Sequence, residues 1–96
     1  MKNIALALHA GTPQRRNAIT KLFSDEQWAY WHWIDDFWIV QVPDTYTPKS
    51  LHDRLEALDP VGAGTILVFE FRERITFWGR AAKEAWAWLK HIGNSG

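Results

Sequence analysis

The sequence contains no cysteine, which excludes disulfides, thiolate nucleophiles and cysteine-ligated zinc or iron–sulfur sites. Long hydrophobic runs are also missing, because charged residues interrupt every apolar segment before the roughly 20 residues that a transmembrane helix needs. The short apolar run 4–10 ends at Gly11-Thr12-Pro13 without the cleavage-site pattern of a signal peptide. We therefore expect a protein of the cytoplasm with no membrane segment.

An excess of charge of one sign is missing too, since 11 Lys+Arg balance 11 Asp+Glu. There is no global field to attract a polyanion, so a basic patch could only be local. What is abundant is tryptophan, with seven residues in a chain of 96. One small core seldom holds so many indoles, and we expect some of them at a surface or an interface. The length predicts a single domain spanning 1–96.

The first third of the chain predicts a strand followed by a helix. The run 2–10 suits a buried strand, and Thr12-Pro13 then combines an N-cap residue with a proline at the first helical position. Apolar residues recur at helical spacing until Ser24-Asp25-Glu26 ends the pattern. The opposite, solvent-facing side of this helix is expected to carry the basic residues Arg15, Arg16 and Lys21.

Two further segments are bounded by turn and cap signals. Aromatic and β-branched residues from Trp28 to Val42, interrupted by Asp35-Asp36, predict a β-hairpin with its turn at the two aspartates. Thr47-Pro48 repeats the cap-then-proline signature and predicts a second helix that ends near Asp59-Pro60. The apolar stripe of that helix is formed by Leu51, Leu55 and Leu58.

The last third predicts a strand and a terminal helix. The apolar run 65–71 is short enough for a central strand and too short for most helices. Residues 72–78 are expected to continue as a bent edge segment, and 80–92 form a helix closed by Gly93.

The resulting order predicts an α+β, ferredoxin-like split βαββαβ fold with an additional C-terminal helix. In this arrangement helices cover one face of an antiparallel sheet and leave the other bare, yet the hairpin is apolar on both faces. Either a second copy of the chain or the terminal helix must cover the bare face, and a two-fold homodimer is the common solution. The residues expected at that dimer interface are Trp31, Trp33 and Trp38.

Four segments, WHWIDDFWIV at 31–40, LHDRL at 51–55, GTILV at 64–68 and WAWLK at 86–90, resemble the SinR-like proteins. These are relatives of the small CRISPR-associated endonuclease of spacer acquisition. The resemblance covers nearly the whole chain in order. It implies a ferredoxin-like homodimer and a defence or mobile-element setting.

The resemblance does not supply catalysis. Members regarded as nucleases carry an aspartate at the end of strand one, after an aromatic residue, which holds a divalent metal between two subunits. Leu8-His9 stands at that place here, and a neutral imidazole is a poor ligand for magnesium. His9 is thus the one candidate catalytic residue if the protein is a metal-dependent nuclease, and we otherwise expect no metal and no cofactor.

Other clusters of polar residues have a simpler interpretation. His9, His32, Asp35 and Asp36 could converge on a site, but strand ends and a tight turn account for them better. His52 is expected on the solvated face of the second helix.

The last third of the sequence contains a cluster of basic residues interleaved with aromatic ones. Proteins bind single-stranded nucleic acid with this composition, through charge and base stacking. The binding residues that it predicts are Arg72, Arg74, Arg80, Lys83 and Trp78. The competing interpretation is a charged edge strand protected from aggregation. Together these patterns favour a non-catalytic homodimeric binding or scaffold module that contacts protein or nucleic acid, with a metal-dependent nuclease as the alternative.

Overall fold

The computed structural model describes residues 1–58, 64–72, 75–80 and 82–95. They form three helices and six strands in the order β1 (Lys2–Leu8), α1 (Pro13–Asp25), β2 (Tyr30–Ile34), β3 (Phe37–Val42), α2 (Pro48–Glu56), β4 (Ile66–Phe71), β5 (Ile75–Phe77), α3 (Lys83–Ile92) and β6 (Gly93–Ser95). No helix within these ranges has the length and apolar character needed to cross a bilayer.

Strands β1 to β4 form one antiparallel sheet in the order β2-β3-β1-β4. β1 lies between β3 and β4, so Ala5 has Ile39 on one side and Phe69 on the other. The hairpin β2–β3 closes at Asp35-Asp36, as predicted, and its register shifts between Trp31 and Ile34, which is a β-bulge or irregularity in β2. The predicted α+β class is confirmed by this sheet and its helices.

Both helix starts predicted from a threonine–proline pair are correct. Thr12 and Thr47 have extended backbone conformations, and each side chain accepts a hydrogen bond from the backbone N–H three residues later. At α2 the bond is reciprocal, because Ser50 Oγ also accepts from the Thr47 N–H at 2.8 Å. These caps satisfy N–H groups that have no partner inside the helix.

One face of the sheet packs against α1 and α2. Alternate residues of β1 and β3 point to this side because successive side chains of a strand lie on opposite faces. The core there consists of Ile4, Leu6, Leu8, Ile19, Leu22, Phe23, Trp28, Trp38, Val40, Val42, Leu51 and Leu55. Trp38 is completely buried in this core, and its Nε1 donates to Thr20 Oγ1 at 3.4 Å.

The opposite face is partly covered by α3. Trp31 and Ile39 pack there against Ala85, Leu89 and Ile92, with aromatic rings around the margin. The sequence left open whether a second copy of the chain or the terminal helix covers the bare face of the sheet. For this part of the sheet the cover is α3, which packs on the apolar outer side of the hairpin.

A row of apolar residues at one end of the same face is less covered. The register places Ile34 beside Phe37, Phe37 beside Ala7 and Ala7 beside Leu67, so the row crosses all four strands. Ile34 and Leu67 at its two ends are exposed, and Leu67 keeps 59% of its surface accessible. We call Ile34, Phe37, Ala7 and Leu67 the apolar row.

Residues after β4 depart from the prediction of one bent edge segment. β5 does not extend the main sheet; it pairs in parallel with β6, which follows α3 directly. The terminal helix begins at Lys83 rather than at residue 80, and Gly93 leaves it in extended conformation as the first residue of β6. This small second sheet fixes β5 beside the end of α3.

Candidate functional site

A pocket lies between the chain that follows β5 and one side of α3. Its volume is about 240 Å³, and it is lined by Phe77, Trp78, Gly79, Trp86 and Lys90. We call it the aromatic pocket. Three of its five residues are aromatic and one is cationic, so its walls offer flat apolar surface with a positive charge at one side.

Two local features build this pocket. Trp86 and Lys90 are four residues apart on α3 and therefore occupy the same helical face. Phe77, at the end of β5, stacks on Trp86 with ring centroids 5.6 Å apart and an interplanar angle of 17°. The parallel pairing of β5 with β6 holds Phe77 at this place. The two stacked rings therefore form one wall of the pocket.

Trp78 differs from every other indole in this region because 80% of its surface is accessible. Contiguous exposed apolar surface commonly marks a binding site, and Trp78 shares the lining of the pocket with the rings of Phe77 and Trp86. Arg80 and Lys83 follow closely in the chain and are exposed. The arrangement is suited to a planar, negatively charged ligand that stacks on indoles and pairs with cations.

The predicted basic cluster is divided by the fold. Trp78 lines the aromatic pocket, Arg80 follows the lining residue Gly79 in the chain and Lys83 begins α3, whereas Arg72 follows β4 and bonds Glu70 through its Nε. Arg74 lies outside the described residues. The hydrogen bonds from Arg72 and then Lys2 hold the pKa of Glu70 below its ordinary value. Arg72 is thus part of an ion-pair group with Glu70 and Lys2.

His9 is exposed, directly after the end of β1. Its backbone N–H donates to the Thr65 carbonyl oxygen at 3.1 Å, which ties the end of β1 to the residue before β4. His32 stacks on Trp38 with centroids 4.2 Å apart, and its Nε2 lies 2.9 Å from the Asp35 carbonyl oxygen. His32 is thus engaged in its own hairpin.

Asp36 connects the hairpin turn to the start of α1. Its carboxylate accepts from Gly11 N at 3.2 Å and from Arg16 Nε at 3.0 Å. The bond from Arg16 is the main cause that lowers the pKa of Asp36. Gly11 is required here for space, because a Cβ at this position would collide with the Asp36 carboxylate. The aspartates therefore have the structural role that the sequence favoured.

Within the described ranges, one group of three side chains is close enough to share a metal ion. It comprises His52, Asp53 and Glu56, on a single turn of α2 and with ligand atoms within 4.8 Å of one another. Asp53 already binds Lys49 at 2.8 Å, which is the main reason that its pKa is lowered. Such groups are common on exposed helix surfaces, in agreement with the expected surface position of His52.

The three tryptophans expected at a dimer interface have different environments. Trp31 is buried beneath α3 and Trp38 beneath α1, so both are covered by residues of their own chain. Trp33 is exposed over 52% of its surface. Of the three, Trp33 alone is accessible to a second copy.

No family model, curated protein or solved structure matches this chain. The candidate site is therefore interpreted from its geometry. Sequence patterns identified Trp78 and two of the nearby cations but did not identify Trp86 and Lys90 as pocket residues. A spacing of four between Trp86 and Lys90 in the terminal helix is the signal that could have found them.

Proposed function

We propose that this protein is a non-catalytic binding module for single-stranded nucleic acid, with a base stacked in the aromatic pocket. The observation that carries the proposal is the exposed Trp78 indole on the wall of a pocket whose other wall is the Phe77–Trp86 stack. Every base has a π-face, so stacking of this kind tolerates many sequences.

Cations around the aromatic pocket supply the second part of the interaction. Lys90 lines the pocket, and Arg80 and Lys83 are exposed nearby, where they can reach phosphates. Because the total charge of the chain is zero, we expect weak binding that falls steeply as salt is added. A duplex buries its bases between their neighbours and should bind less well than a single strand.

We further propose a ferredoxin-like fold, supported by the βαββαβ order and by a sheet with β1 between β3 and β4. A homodimer in a defence or mobile-element setting is proposed from the resemblance to SinR-like proteins. The exposed ends of the apolar row and the edge position of β4 provide a surface on which a second copy could pack. The cytoplasm is proposed as its compartment because the chain has no cysteine.

Fluorescence anisotropy with a labelled single-stranded oligonucleotide of mixed sequence, at about 50 mM salt, tests the binding function. Loss of one stacked base costs about 1–3 kcal/mol, so Trp78→Ala should weaken binding about 5- to 150-fold. Trp33→Ala is the matched control, because Trp33 is also an exposed indole but lies on β2. Equal affinity of Trp78→Ala and the unchanged protein would overturn the assignment of the aromatic pocket.

Salt titrations test the cations in the same assay. Each lost phosphate contact should reduce the slope of log affinity against log salt by about 0.7, and we expect this for Arg80→Ala and Lys83→Ala. Arg72→Ala is the control because Arg72 is engaged by Glu70. If no oligonucleotide binds at low salt, a protein partner becomes the better hypothesis.

The nuclease alternative is tested by incubating the same oligonucleotides with Mg²⁺ or Mn²⁺. We expect no cleavage. Cleavage that a chelator stops and His9→Ala abolishes would replace the non-catalytic proposal with the nuclease.

A further inference from the structure

Arg15 is the single charged residue that is buried within the described ranges, with 8% of its surface exposed. The helical pattern predicted that it would face solvent beside Arg16 and Lys21, and this prediction is wrong. Arg15 is the third residue of α1, so its side chain lies near the start of a 13-residue helix. A guanidinium removed from water requires hydrogen-bond acceptors, preferably charged ones.

Two nitrogens of this guanidinium, Nε and Nη2, are buried and have no acceptor among the described residues. These two nitrogens form one edge of the planar group, and their N–H bonds run parallel. That edge binds both oxygens of a carboxylate or phosphate side-on. Arg16, the next residue, has its acceptors in Asp36 and the Gly11 carbonyl oxygen.

Gly64 packs against the guanidinium group of Arg15. A Cβ on this residue would lie 2.9 Å from Nη1 and 3.1 Å from Nη2, too close for ordinary packing. Gly64 also has a φ of 95°, a conformation that other residues rarely adopt. The absence of a side chain at position 64 therefore lets the backbone of Gly64 approach the guanidinium closely.

The position at the start of α1 adds to the preference for an anion. The first turn of α1 contains no acidic residue, so no carboxylate of the helix itself offsets the partial positive charge of its N-terminus. Asp36, the nearby carboxylate, is occupied by Arg16 and Gly11. Among the described residues, the edge of Arg15 therefore has no acceptor at the start of α1.

We propose that Arg15 forms an oxyanion-binding site at the start of α1, in which the Nε and Nη2 edge takes a phosphate or carboxylate group. The site is separate from the aromatic pocket and does not depend on nucleic-acid binding. Binding of the anion stabilises the folded chain, because only the folded state presents this buried edge.

Thermal unfolding in a buffer free of phosphate tests the site, with sodium phosphate, sodium acetate or sodium chloride added at equal ionic strength. Saturating phosphate or acetate should raise Tm by at least about 4 °C more than chloride does. Preference for phosphate or acetate identifies which oxyanion the site takes. An equal effect of all three salts would overturn the proposal, and a carboxylate of the chain itself occupying the edge would produce that result.

Two variants of Arg15 and one control variant test whether the rise in Tm caused by oxyanions depends on Arg15. Arg15→Met removes the charge and should abolish the response to oxyanions, and Arg15→Lys keeps the charge without the edge and should retain little of it. Lys21→Met removes the same charge from an exposed position of α1 and should respond like the unchanged protein. A full response in Arg15→Met would exclude Arg15 as the site.

An NMR measurement of Arg15 in the unchanged protein tests the site without relying on variants that must fold. The Nε–Hε resonance of Arg15 in a ¹⁵N-correlated NMR spectrum should shift as phosphate or acetate is added, while that of Arg72 should not. An Arg15 resonance unaffected by both anions would overturn the proposal.

Discussion

The indole Nε1 of Trp31 donates a hydrogen bond to the backbone carbonyl oxygen of Ala85, and 3.0 Å separates the two atoms. The bond joins β2, an edge strand of the sheet, to the first turn of α3, and both residues are buried. A buried indole N–H needs an acceptor, and here the terminal helix of the same chain provides it. The pair orients α3 across the hairpin.

Replacement of Trp31 by phenylalanine tests the importance of this pair. The change removes the donor and part of the ring, so it leaves the Ala85 carbonyl without the indole and a small cavity under α3. We expect a loss of about 2–4 kcal/mol in the free energy of unfolding, measured by urea denaturation. Trp33→Phe, at an exposed position, should change it by no more than about 0.5 kcal/mol. Equal effects of the two variants would contradict the assigned role of Trp31.

Loss of the cap at α2 should have a smaller effect. Thr47→Ala removes the acceptor of the Ser50 N–H, and we expect destabilisation by about 1 kcal/mol with no change in oligonucleotide binding. Thr47→Ser retains a hydroxyl and should restore most of the stability. The denaturation midpoint of each variant checks this, and an unchanged midpoint for Thr47→Ala would show that the cap contributes nothing.

Acid stability should depend on Asp36. Because the Arg16 hydrogen bond lowers the pKa of Asp36 in the folded chain, the ionised carboxylate stabilises the fold above the ordinary aspartate pKa of about 4. This contribution is lost as pH falls through the lowered value. The difference in unfolding free energy between the unchanged protein and Asp36→Asn should therefore shrink below about pH 4. In Arg16→Met, an NMR titration should find the Asp36 pKa closer to its ordinary value.

The homodimer remains a prediction, and its surface is best tested at the apolar row. Light scattering at tens of micromolar should report a dimer, and Leu67→Glu should yield a folded monomer, because it places a charge on an exposed position of β4. Trp33→Glu places the same charge on β2, and comparison of the two variants locates the interface. A monomer for the unchanged protein would refute the prediction.

Local signals in the sequence predicted most helices and strands correctly, because a cap residue, a proline or a turn residue determines the backbone conformation of the residues next to it in the chain. Thr12-Pro13, Asp35-Asp36 and Thr47-Pro48 each have the predicted role. The position of α3 over Trp31 was not predictable in this way, because an apolar helix face packs equally well on its own sheet or on a second copy. Burial of Arg15 depends on Gly64, which is distant in sequence, and helical periodicity contains no information about such a neighbour.

The central position of β1 determines the order in which the chain can fold during synthesis. β1 is made before its two sheet neighbours, which follow only after α1 and after α2, and closure of such distant pairs is slow. α3 is made later still, so the indole of Trp31 remains uncovered while the earlier elements assemble. The nascent chain therefore exposes an apolar aromatic surface until α3 has left the ribosome, and this is the interval in which a chaperone has the largest exposed apolar surface to bind.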